Sequence, residues 1–282
     1  MKVLKSIDSI RLFIKKKRIP VNKIGLVPTM GALHEGHLEL VKSSNRQNDL
    51  TIVSIFVNPA QFNRKEDFEK YPNKVSEDLK ILEKIGCDVI FMPDSREMYT
   101  ENESLKFNFG YLEKLMEGEF RPGHFSGVGL VISKLFNIIN PDRAYFGEKD
   151  LQQLMIIKKL VKDLNFDVEI IGVPTVREDT GLAMSSRNLR LSESEKEVAV
   201  NIYKSLMLFQ KLLAANNNIV QSKTQVADFL RSINGLELEY LELVDSHSLM
   251  PIKEVIQRRD FSICIAANVG KVRLIDNITI KN

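Results

Sequence analysis

The sequence is poor in the residues that build metal clusters and has no long apolar runs. It contains two cysteines and four histidines among 282 residues, without the cysteine spacing of a zinc site. Cys87 and Cys264 lie in apolar, strand-like runs, where buried free thiols are common. Free thiols suit the reducing cytoplasm. No run approaches the ~18 apolar residues of a membrane span, and the N-terminal residues lack the apolar core of a signal peptide. We therefore expect a cytoplasmic protein without a membrane partner.

Neither sign of charge dominates the chain. Lysine and arginine number 40 against 37 aspartates and glutamates, a formal net charge of +3. This excess is too small to indicate a nucleic-acid partner. With 44% hydrophobic and 27% charged residues, the composition is typical of a globular protein that buries a substantial core.

The first two-thirds of the chain alternates β-branched apolar runs with helical patterns. The predicted strands cover residues 23–30, 50–57, 87–93, 143–147 and 167–174. The predicted helices cover residues 36–47, 76–85, 127–139 and 150–164. Continuous apolar strands that alternate with helices are typical of a parallel sheet covered on both faces. The pattern predicts a Rossmann-like, doubly wound α/β fold.

The pattern changes after residue 175. Ser192 and Glu195 have capping-box spacing before a long helical repeat, and a second helix is predicted near residues 222–233. Three strand-like runs follow and read as an antiparallel sheet. The sequence therefore predicts two domains, residues 1–175 and a smaller α+β domain of residues 176–282.

Half of the histidines lie in one short segment. His34 and His37 stand between the first predicted strand and its helix, with Gly31 before them and Gly36 between them. Ligands of doubly wound sheets bind at the carboxyl ends of strands. Glycine lets the backbone approach a ligand, and a helix N-terminus offers N–H groups to an anion. Phosphate binding is one interpretation; an ordinary surface loop is another. A metal site is the third, although a carboxylate ligand set is missing nearby.

A second polar segment, MSSRN (residues 184–188), follows the last predicted parallel strand. Its two hydroxyls and one guanidinium suit the binding of a triphosphate. Together with the histidine segment, it resembles the HxGH and KMSKS signatures of the class I nucleotidylyl-transferase superfamily. Members of this superfamily attack the α-phosphate of ATP.

Three further stretches narrow the resemblance: FVNPAQF (residues 56–62), FRPGHFSGV (120–128) and FGEKDLQQL (146–154). The five motifs, in this order, are similar to those of the pantothenate synthetase, or pantoate–β-alanine ligase, family. The resemblance runs from about residue 23 to residue 191 and more weakly to the C-terminus. It implies ATP-dependent ligation of pantoate and β-alanine through a pantoyl adenylate, with release of AMP and pyrophosphate. It also implies a homodimer and Mg²⁺ that accompanies ATP.

The resemblance implies a set of site residues. The implied catalytic residues are His34, His37, Lys149, Ser185, Ser186 and Arg187. The implied ATP-binding residues are Met30, Gly31, Ala32, Leu33, His34, Glu35, Gly36, His37, Gly147, Glu148, Lys149, Asp150, Val176, Met184, Ser185, Ser186 and Arg187. Gln61 and Gln153 would bind pantoate, because an amide donates and accepts at once, and Gln61 would also contact β-alanine. His37 matches a proton donor, although a helix N-terminus disfavours its charged form.

Several implied roles stay open. Magnesium would be held mostly by phosphate oxygens and waters, with Asp78 as the candidate protein ligand beside Glu77. Arg121 and His124 would lie near the site as ligand contacts, loop-holding residues or dimer contacts. The small domain would act as a lid that carries MSSRN to the phosphates.

Three other functions remain as alternatives. A nucleotidylyltransferase that retains AMP in its product would explain the histidine segment but not FVNPAQF with two placed glutamines. A fragment of a class I aminoacyl-tRNA synthetase would be expected to carry an RNA-binding region. A non-catalytic nucleotide-binding regulator would be expected to lose Lys149 or the Ser-Ser-Arg segment, and the sequence has both.

Overall fold

The strands form a six-stranded parallel sheet and a three-stranded antiparallel sheet. The computed structural model describes residues 1–17, 23–63, 65–99, 104–216, 218–254 and 260–281. The strands are β1 (Lys2–Leu4), β2 (Ile24–Thr29), β3 (Leu50–Ile55), β4 (Val89–Phe91), β5 (Arg143–Gly147), β6 (Glu169–Val173), β7 (Leu236–Asp245), β8 (Phe261–Val269) and β9 (Val272–Ile280). The α-helices are α1 (Ile7–Lys17), α2 (Glu35–Gln47), α3 (Lys65–Glu69), α4 (Val75–Lys84), α5 (Ser95–Met98), α6 (Glu117–Phe120), α7 (His124–Ile139), α8 (Leu151–Leu164), α9 (Glu193–Asn216) and α10 (Ile219–Arg231). Short 3₁₀ helices cover Pro59–Gln61, Gly110–Glu113, Glu148–Asp150 and Ser186–Arg190.

The order of the parallel sheet confirms the predicted doubly wound fold. Its strands run β1-β4-β3-β2-β5-β6, and every neighbouring pair is parallel. The chain leaves β2 toward β3 and β4 on one side and later adds β5 and β6 on the other. The order therefore reverses between β2 and β5, where doubly wound sheets bind their ligands.

Strand β1 and most of α1 were not predicted. β1 has three residues, two of them exposed, and pairs with β4 at the edge of the sheet. Such a short, half-exposed strand leaves no apolar run for pattern analysis to detect. The histidine segment consequently follows the second strand of the chain, and its predicted place after the first strand was wrong. Its place at the reversal of the sheet is unaffected.

The position of α2 against the sheet depends on a close backbone approach. All three residues of β4 and five of the six in β2 are buried, as expected for strands covered on both faces. A Cβ on Gly25 in β2 would lie 2.1 Å from Oγ of Ser44 in α2. Any larger residue at position 25 would clash with the side chains of Ser44 in α2 and of Asn48 at its C-terminal end.

The antiparallel sheet β7-β8-β9 has its own core. Helices α9 and α10 contribute buried side chains such as Ile202, Phe209 and Leu230, which pack with Ile263 and Ile265 of β8. The predicted capping box at the start of α9 is present. The N–H of Ser192 donates to Glu195 Oε2 at 2.8 Å, and the N–H of Glu195 donates to Ser192 Oγ at 3.3 Å.

The chain divides into two compact units. One consists of Met1–Glu148 and Gln152–Pro174, and the other of Lys149–Leu151 and Thr175–Asn282. Lys149 therefore packs with the second unit, although it precedes residue 175. Within the described ranges, no helix has both the length and the apolar character needed to cross a membrane.

Both thiols are buried, as predicted, and neither forms a disulfide. Cys87 lies in the core of the first unit and Cys264 on β8. Burial raises the pKa of the Cys87 thiol to about 12, so this side chain stays protonated and unreactive at neutral pH.

Candidate active site

The histidine turn, defined here as residues 30–37, connects β2 to α2. His34 is the N-cap of α2, and its Nδ1 accepts a hydrogen bond from the N–H of Gly36 at 3.2 Å. Nδ1 of His37 accepts from the N–H of His34 at 3.4 Å, which completes a reciprocal capping box. The ring centroids lie 4.1 Å apart. The histidines thus cap α2 in the way that serine and glutamate commonly do.

These capping bonds determine where each imidazole carries its proton. Because Nδ1 accepts an N–H in both rings, each neutral ring has its proton on Nε2. A charged ring would place a second donor against the backbone N–H, and the dipole of α2 also opposes positive charge at this end. The geometry therefore presents His34 and His37 as neutral Nε2–H donors.

Asp78, in the first turn of α4, binds the residues of the histidine turn that precede the two histidines. Its buried carboxylate accepts the N–H of Ala32 at Oδ2 and that of Leu33 at Oδ1, each at 2.8 Å. Ala32 has a φ of 51°, in the left-handed region that is costly for residues with a side chain. Gly31 precedes it with a φ of 78°, and a Cβ there would lie 3.0 Å from Asp78 Oδ2. The two hydrogen bonds offset the strain at Ala32.

The protein side chains do not fit a resident magnesium site. Both Asp78 oxygens are bonded to backbone N–H groups, and Glu77 forms a surface ion pair with Lys74 at 2.9 Å. In the described part of the chain, no group of three His, Cys, Asp or Glu side chains could hold a metal ion. The observed role of Asp78 is to hold the backbone of the histidine turn.

Asn58 organises the segment that follows β3. It caps the 3₁₀ helix Pro59–Gln61 and uses both ends of its buried amide. Its Nδ2 donates to Gln61 Oε1 at 3.2 Å and to the carbonyl of Gly127 at 3.1 Å, while its Oδ1 accepts from the Tyr99 hydroxyl at 2.6 Å. This network fixes the orientation of the Gln61 amide relative to α7.

Gln61 itself is buried and bonded at three points. Its side-chain Nε2 donates to Sδ of Met30 in the histidine turn. Its backbone carbonyl accepts from His124 Nδ1 at 2.8 Å. Arg121 donates to His124 Nε2 at 3.1 Å, which leaves the histidine neutral with its proton on Nδ1. Of the three roles left open for Arg121 and His124, the structure shows loop holding. A thioether is a weak acceptor, so a ligand oxygen can replace Met30 as the partner of Nε2.

The segment after β5 carries the other predicted glutamine. A Cβ on Gly147 would meet no atom within 4 Å, so the backbone there is open to a ligand. Gln153, in the first turn of α8, is half-buried. Among the residues that the structure describes, its side-chain amide has no hydrogen-bond partner. Its neighbour Gln152 is buried and donates to the carbonyls of Leu112 and Leu115 at 2.6 and 2.9 Å. Gln153 is therefore the glutamine of this pair that can bind a ligand.

Residues 176–184 form a tight hairpin that leads into the MSSRN motif of residues 184–188, called the serine segment below. The N–H of Met184 donates to the carbonyl of Val176 at 2.9 Å, and Arg177 is bridged to Ala183. Val176 and Met184 were both predicted to bind ATP. Because one group of each is used within the hairpin, only the N–H of Val176 and the carbonyl of Met184 remain for a nucleotide.

The serine segment begins a 3₁₀ helix. Ser185 is its N-cap, and Ser185 Oγ accepts from the N–H of Arg187 at 3.3 Å, which leaves the hydroxyl proton for a ligand. Ser186 is buried. Asn188 anchors the segment by donating to the carbonyl of Ala183 at 3.1 Å. The predicted hydroxyls therefore differ in accessibility, and Ser185 is the better placed donor.

The structure brings two predicted phosphate-binding residues to one pocket in the second unit. Lys149 and Ser185 line this pocket together with Asn188 and the buried Asp276. Asp276 forms an ion pair with Arg177, whose Nη1 lies 2.6 Å from Oδ2. Burial raises the pKa of the Asp276 carboxyl, and the guanidinium acts in the opposite direction.

Three polar residues at these sites were not predicted in their observed roles. Asn58 precedes a proline, a common arrangement at a helix N-cap, and this was the available signal. Asp276 stands in an apolar strand run, where a charged residue indicates a buried pair. Asp78 was considered only as a metal ligand, and nothing in its local sequence indicates that it bonds to backbone 45 residues away.

Comparison with known proteins identifies the family of this chain. The family model described as Pantoate-beta-alanine ligase matches residues 2–279. A pantothenate synthetase from Cytophaga hutchinsonii is 47% identical over 282 residues, 98% of each chain. The crystal structure of pantothenate synthetase from Thermus thermophilus has a TM-score of 0.91 and 38% identity, covering 99% of both chains.

A second solved relative shows ligands. The pantoate-beta-alanine ligase from Francisella tularensis, crystallised with beta-gamma ATP and beta-alanine, has a TM-score of 0.81 and 37% identity. It covers 99% of this chain and 97% of its own. With the fold, the motifs and the matches spanning nearly the whole sequence, the chain belongs to the pantoate–β-alanine ligase family of enzymes.

Proposed function

We propose that the protein joins pantoate to β-alanine at the expense of ATP and so makes pantothenate. In the first step, the pantoate carboxylate attacks the α-phosphate of ATP and pyrophosphate leaves. In the second, the amine of β-alanine attacks the carbonyl of the pantoyl adenylate and AMP leaves. The observation that carries this proposal is the family match across residues 2–279.

The first step requires charge stabilisation more than proton transfer. A carboxylate is already ionised at neutral pH, so the catalyst must bring it to an anionic phosphate and stabilise the charge that develops there. The Nε2–H groups of His34 and His37 are fixed donors for this purpose. Lys149 supplies a cation and Ser185 a hydroxyl from one pocket, and Arg187 supplies a guanidinium two residues later.

The remaining nucleotide contacts follow from backbone and carboxylate groups. The histidine turn offers its glycines to the phosphates, and the open backbone at Gly147 approaches the ribose or adenine. Asp150 accepts from the ribose hydroxyls, as acidic residues do in related folds. Val176 contributes its N–H and Met184 its carbonyl to the adenine site.

Pantoate is bound through the two glutamines. Pantoate has a carboxylate, two hydroxyls and an apolar gem-dimethyl group, so its site needs neutral amides beside an apolar wall. Gln61 exchanges its weak bond to Met30 Sδ for a pantoate oxygen, and Gln153 brings an amide that makes no hydrogen bond within the described residues. Gln61 also approaches β-alanine once pyrophosphate has left.

The histidines do not supply the base for the second step. Freeing a lysine-like amine of its proton at pH 7 costs about 4–5 kcal/mol. In the capped tautomer, Nδ1 of each histidine is bonded to backbone and Nε2 already carries a proton. The proton of β-alanine therefore leaves to water or to the phosphate of the adenylate.

Magnesium acts with ATP as a substrate complex. When bound, the cation would neutralise part of the negative charge on the phosphates. The metal would be held by phosphate oxygens and waters, and the described residues offer no group of three His, Cys, Asp or Glu side chains for it. The homodimer is likewise proposed from family membership, and light scattering coupled to gel filtration would measure it.

An isotope experiment tests the reaction and its intermediate. The protein is incubated with ATP, Mg²⁺, β-alanine and pantoate labelled with ¹⁸O in its carboxylate. One labelled oxygen is expected in AMP, because the carboxylate oxygen that attacks phosphorus stays with the phosphate when the amide forms. Unlabelled AMP would rule out the adenylate. A product that retains AMP would favour the nucleotidylyltransferase alternative.

A further inference from the structure

We infer that Asp276 and Asn277, neighbours on β9, are positioning residues that hold the Ser185 segment and Lys149 in place for phosphate binding. The inference rests on the proposed function, in which Lys149 and Ser185 contact the triphosphate. Neither β9 residue needs to touch a substrate. Each acts through hydrogen bonds to a segment that carries a phosphate-binding side chain.

Asp276 binds Arg177 at two points. Arg177 Nη1 lies 2.6 Å from Asp276 Oδ2, and Nη2 lies 2.9 Å from Oδ1. The same guanidinium donates to the carbonyls of Gly181 and Asn277, each at 3.1 Å. It also stacks on the ring of Tyr203 at 4.1 Å. With one face and both terminal nitrogens in contact, the guanidinium has a single orientation.

This ion pair fixes the hairpin that leads into the serine segment. Arg177 lies in the first strand of the hairpin, and Gly181, whose carbonyl it binds, lies in the turn. The hairpin closes through the bridge between Arg177 and Ala183. Ser185 follows two residues later. The position of its hydroxyl therefore depends on where Asp276 holds the guanidinium.

Asn277 performs the corresponding function for Lys149. Its Nδ2 donates to the carbonyl of Lys149 at 2.8 Å across 128 positions of sequence. Lys149 lies in a 3₁₀ helix of three residues that joins β5 to α8. The bond from Asn277 adds a contact that fixes the backbone from which the ammonium projects.

Charge balance gives Arg177 a second function. Asp276 lines one small pocket with Lys149 and Ser185, and an unpaired carboxylate beside these two residues would oppose the binding of phosphate by them. The Arg177 guanidinium, bound to both oxygens of Asp276, neutralises this carboxylate. Arg177→Gln alone is therefore expected to raise the Michaelis constant for ATP more than the double change Arg177→Gln with Asp276→Asn, which removes both charges.

Pantoate-dependent exchange of labelled pyrophosphate into ATP tests the inference, because it reports adenylate formation alone. For Asn277→Ala, the exchange rate should fall about 10-fold or more, as expected when a catalytic group is misplaced by a fraction of an ångström to an ångström. The Michaelis constant for pantoate should stay within about twofold, since the glutamines are untouched. Asp276→Asn should also lower the exchange rate. If this variant does not fold, the inference is judged on Asn277→Ala.

The matched control is Glu239→Gln. Arg273 on β9 donates through Nε to Glu239 Oε2 at 2.8 Å, so this variant removes another ion pair of the same small sheet, and neither of its residues lines the pocket of Lys149. Its thermal unfolding should shift, while its exchange rate stays unchanged. An equal loss of exchange in Glu239→Gln and Asn277→Ala would mean that general stability is responsible, which overturns the inference.

A double-mutant cycle separates positioning from an independent role. If Asn277 acts through Lys149, adding Asn277→Ala to Lys149→Ala should cause no further loss of exchange. Multiplied losses would overturn the inference. Normal exchange in Lys149→Ala would refute the proposed phosphate role of Lys149. If exchange is impaired in Lys149→Ala but normal in Asn277→Ala, the positioning role of Asn277 is refuted and the phosphate role of Lys149 is kept.

Discussion

The histidine turn and the Lys149–Ser185 pocket would each present donors to phosphate, but they are built by different kinds of contact. In the histidine turn, the bonds that orient the rings join residues two or three positions apart. In the pocket, the bonds that hold the hairpin and Lys149 join residues 99 and 128 positions apart. Local bonds form with the helix that they cap, whereas distant bonds form only when the whole unit has folded. Changes of Asp276 and Asn277 on β9 can therefore reach two distant segments that are predicted to bind phosphate, and a change near the histidines stays local.

Removing Lys149 tests the pocket side of this comparison most directly. We expect Lys149→Ala to slow adenylate formation at least about 100-fold, roughly 3 kcal/mol of transition-state stabilisation, because one cation on the phosphates is lost. Pyrophosphate exchange measures the effect. Lys158→Ala, which changes an exposed lysine on the following helix α8, should have a normal rate. Near-normal exchange in Lys149→Ala would return this residue to an ordinary surface role.

Asp78 is the exception to local construction in the histidine turn, so its removal tests the comparison from the other side. Asp78→Ala leaves the N–H groups of Ala32 and Leu33 without their acceptor, at about 1–3 kcal/mol for each group that stays buried. We expect lower thermal stability together with slower adenylate formation. Asp78→Asn, with one acceptor oxygen, should be intermediate. The neighbouring Glu77→Gln is the control, and a stable, active Asp78→Ala would contradict the proposed clamp.

The two glutamines should affect pantoate and spare ATP. Loss of one neutral partner of a buried hydroxyl costs about 1–3 kcal/mol, or about 5- to 150-fold in the pantoate Michaelis constant. We expect the larger effect from Gln61→Ala, because the Gln61 amide is held by Asn58 before the substrate arrives, whereas Gln153 must be ordered by it. Steady-state kinetics with each substrate varied in turn give the answer. A larger change in the Michaelis constant for ATP would show that the two glutamines bind ATP and not pantoate.

The smallest expected effect separates capping from phosphate binding at His34. Asparagine is a good N-cap and alanine a poor one, with a difference of about 1 kcal/mol in stability. His34→Asn should therefore unfold close to the parent temperature and His34→Ala below it. Both variants lack the Nε2–H donor, so both should slow adenylate formation equally. A His34→Asn variant with full activity would leave His34 with a capping function alone.

The sequence indicated those parts of the fold and the site whose signal is local. The apolar runs of β2, β3 and β5 and the paired histidines are visible in a few consecutive residues. The structure forms these three strands as expected and places the histidines between a strand and its helix, although that strand is the second of the chain. The short edge strand β1 was missed because two of its three residues are exposed. The partners of Asp276 and Asn277 lie 99 and 128 positions away, and no periodicity reports such a pairing. Whether residues 176–282 move as a lid stays a prediction.

Both native cysteines are buried, and this makes the protein convenient for site-directed spectroscopy. Cys87 and Cys264 are 3% and 5% exposed, so a maleimide dye should leave the folded parent chain unlabelled. Val220 on α10 and Leu12 on α1 are 77% and 53% exposed, and cysteines introduced there would place one dye on each compact unit without deleting a native thiol. Energy transfer between the two dyes, recorded as ATP and pantoate are added, would then report directly on the predicted movement of the lid.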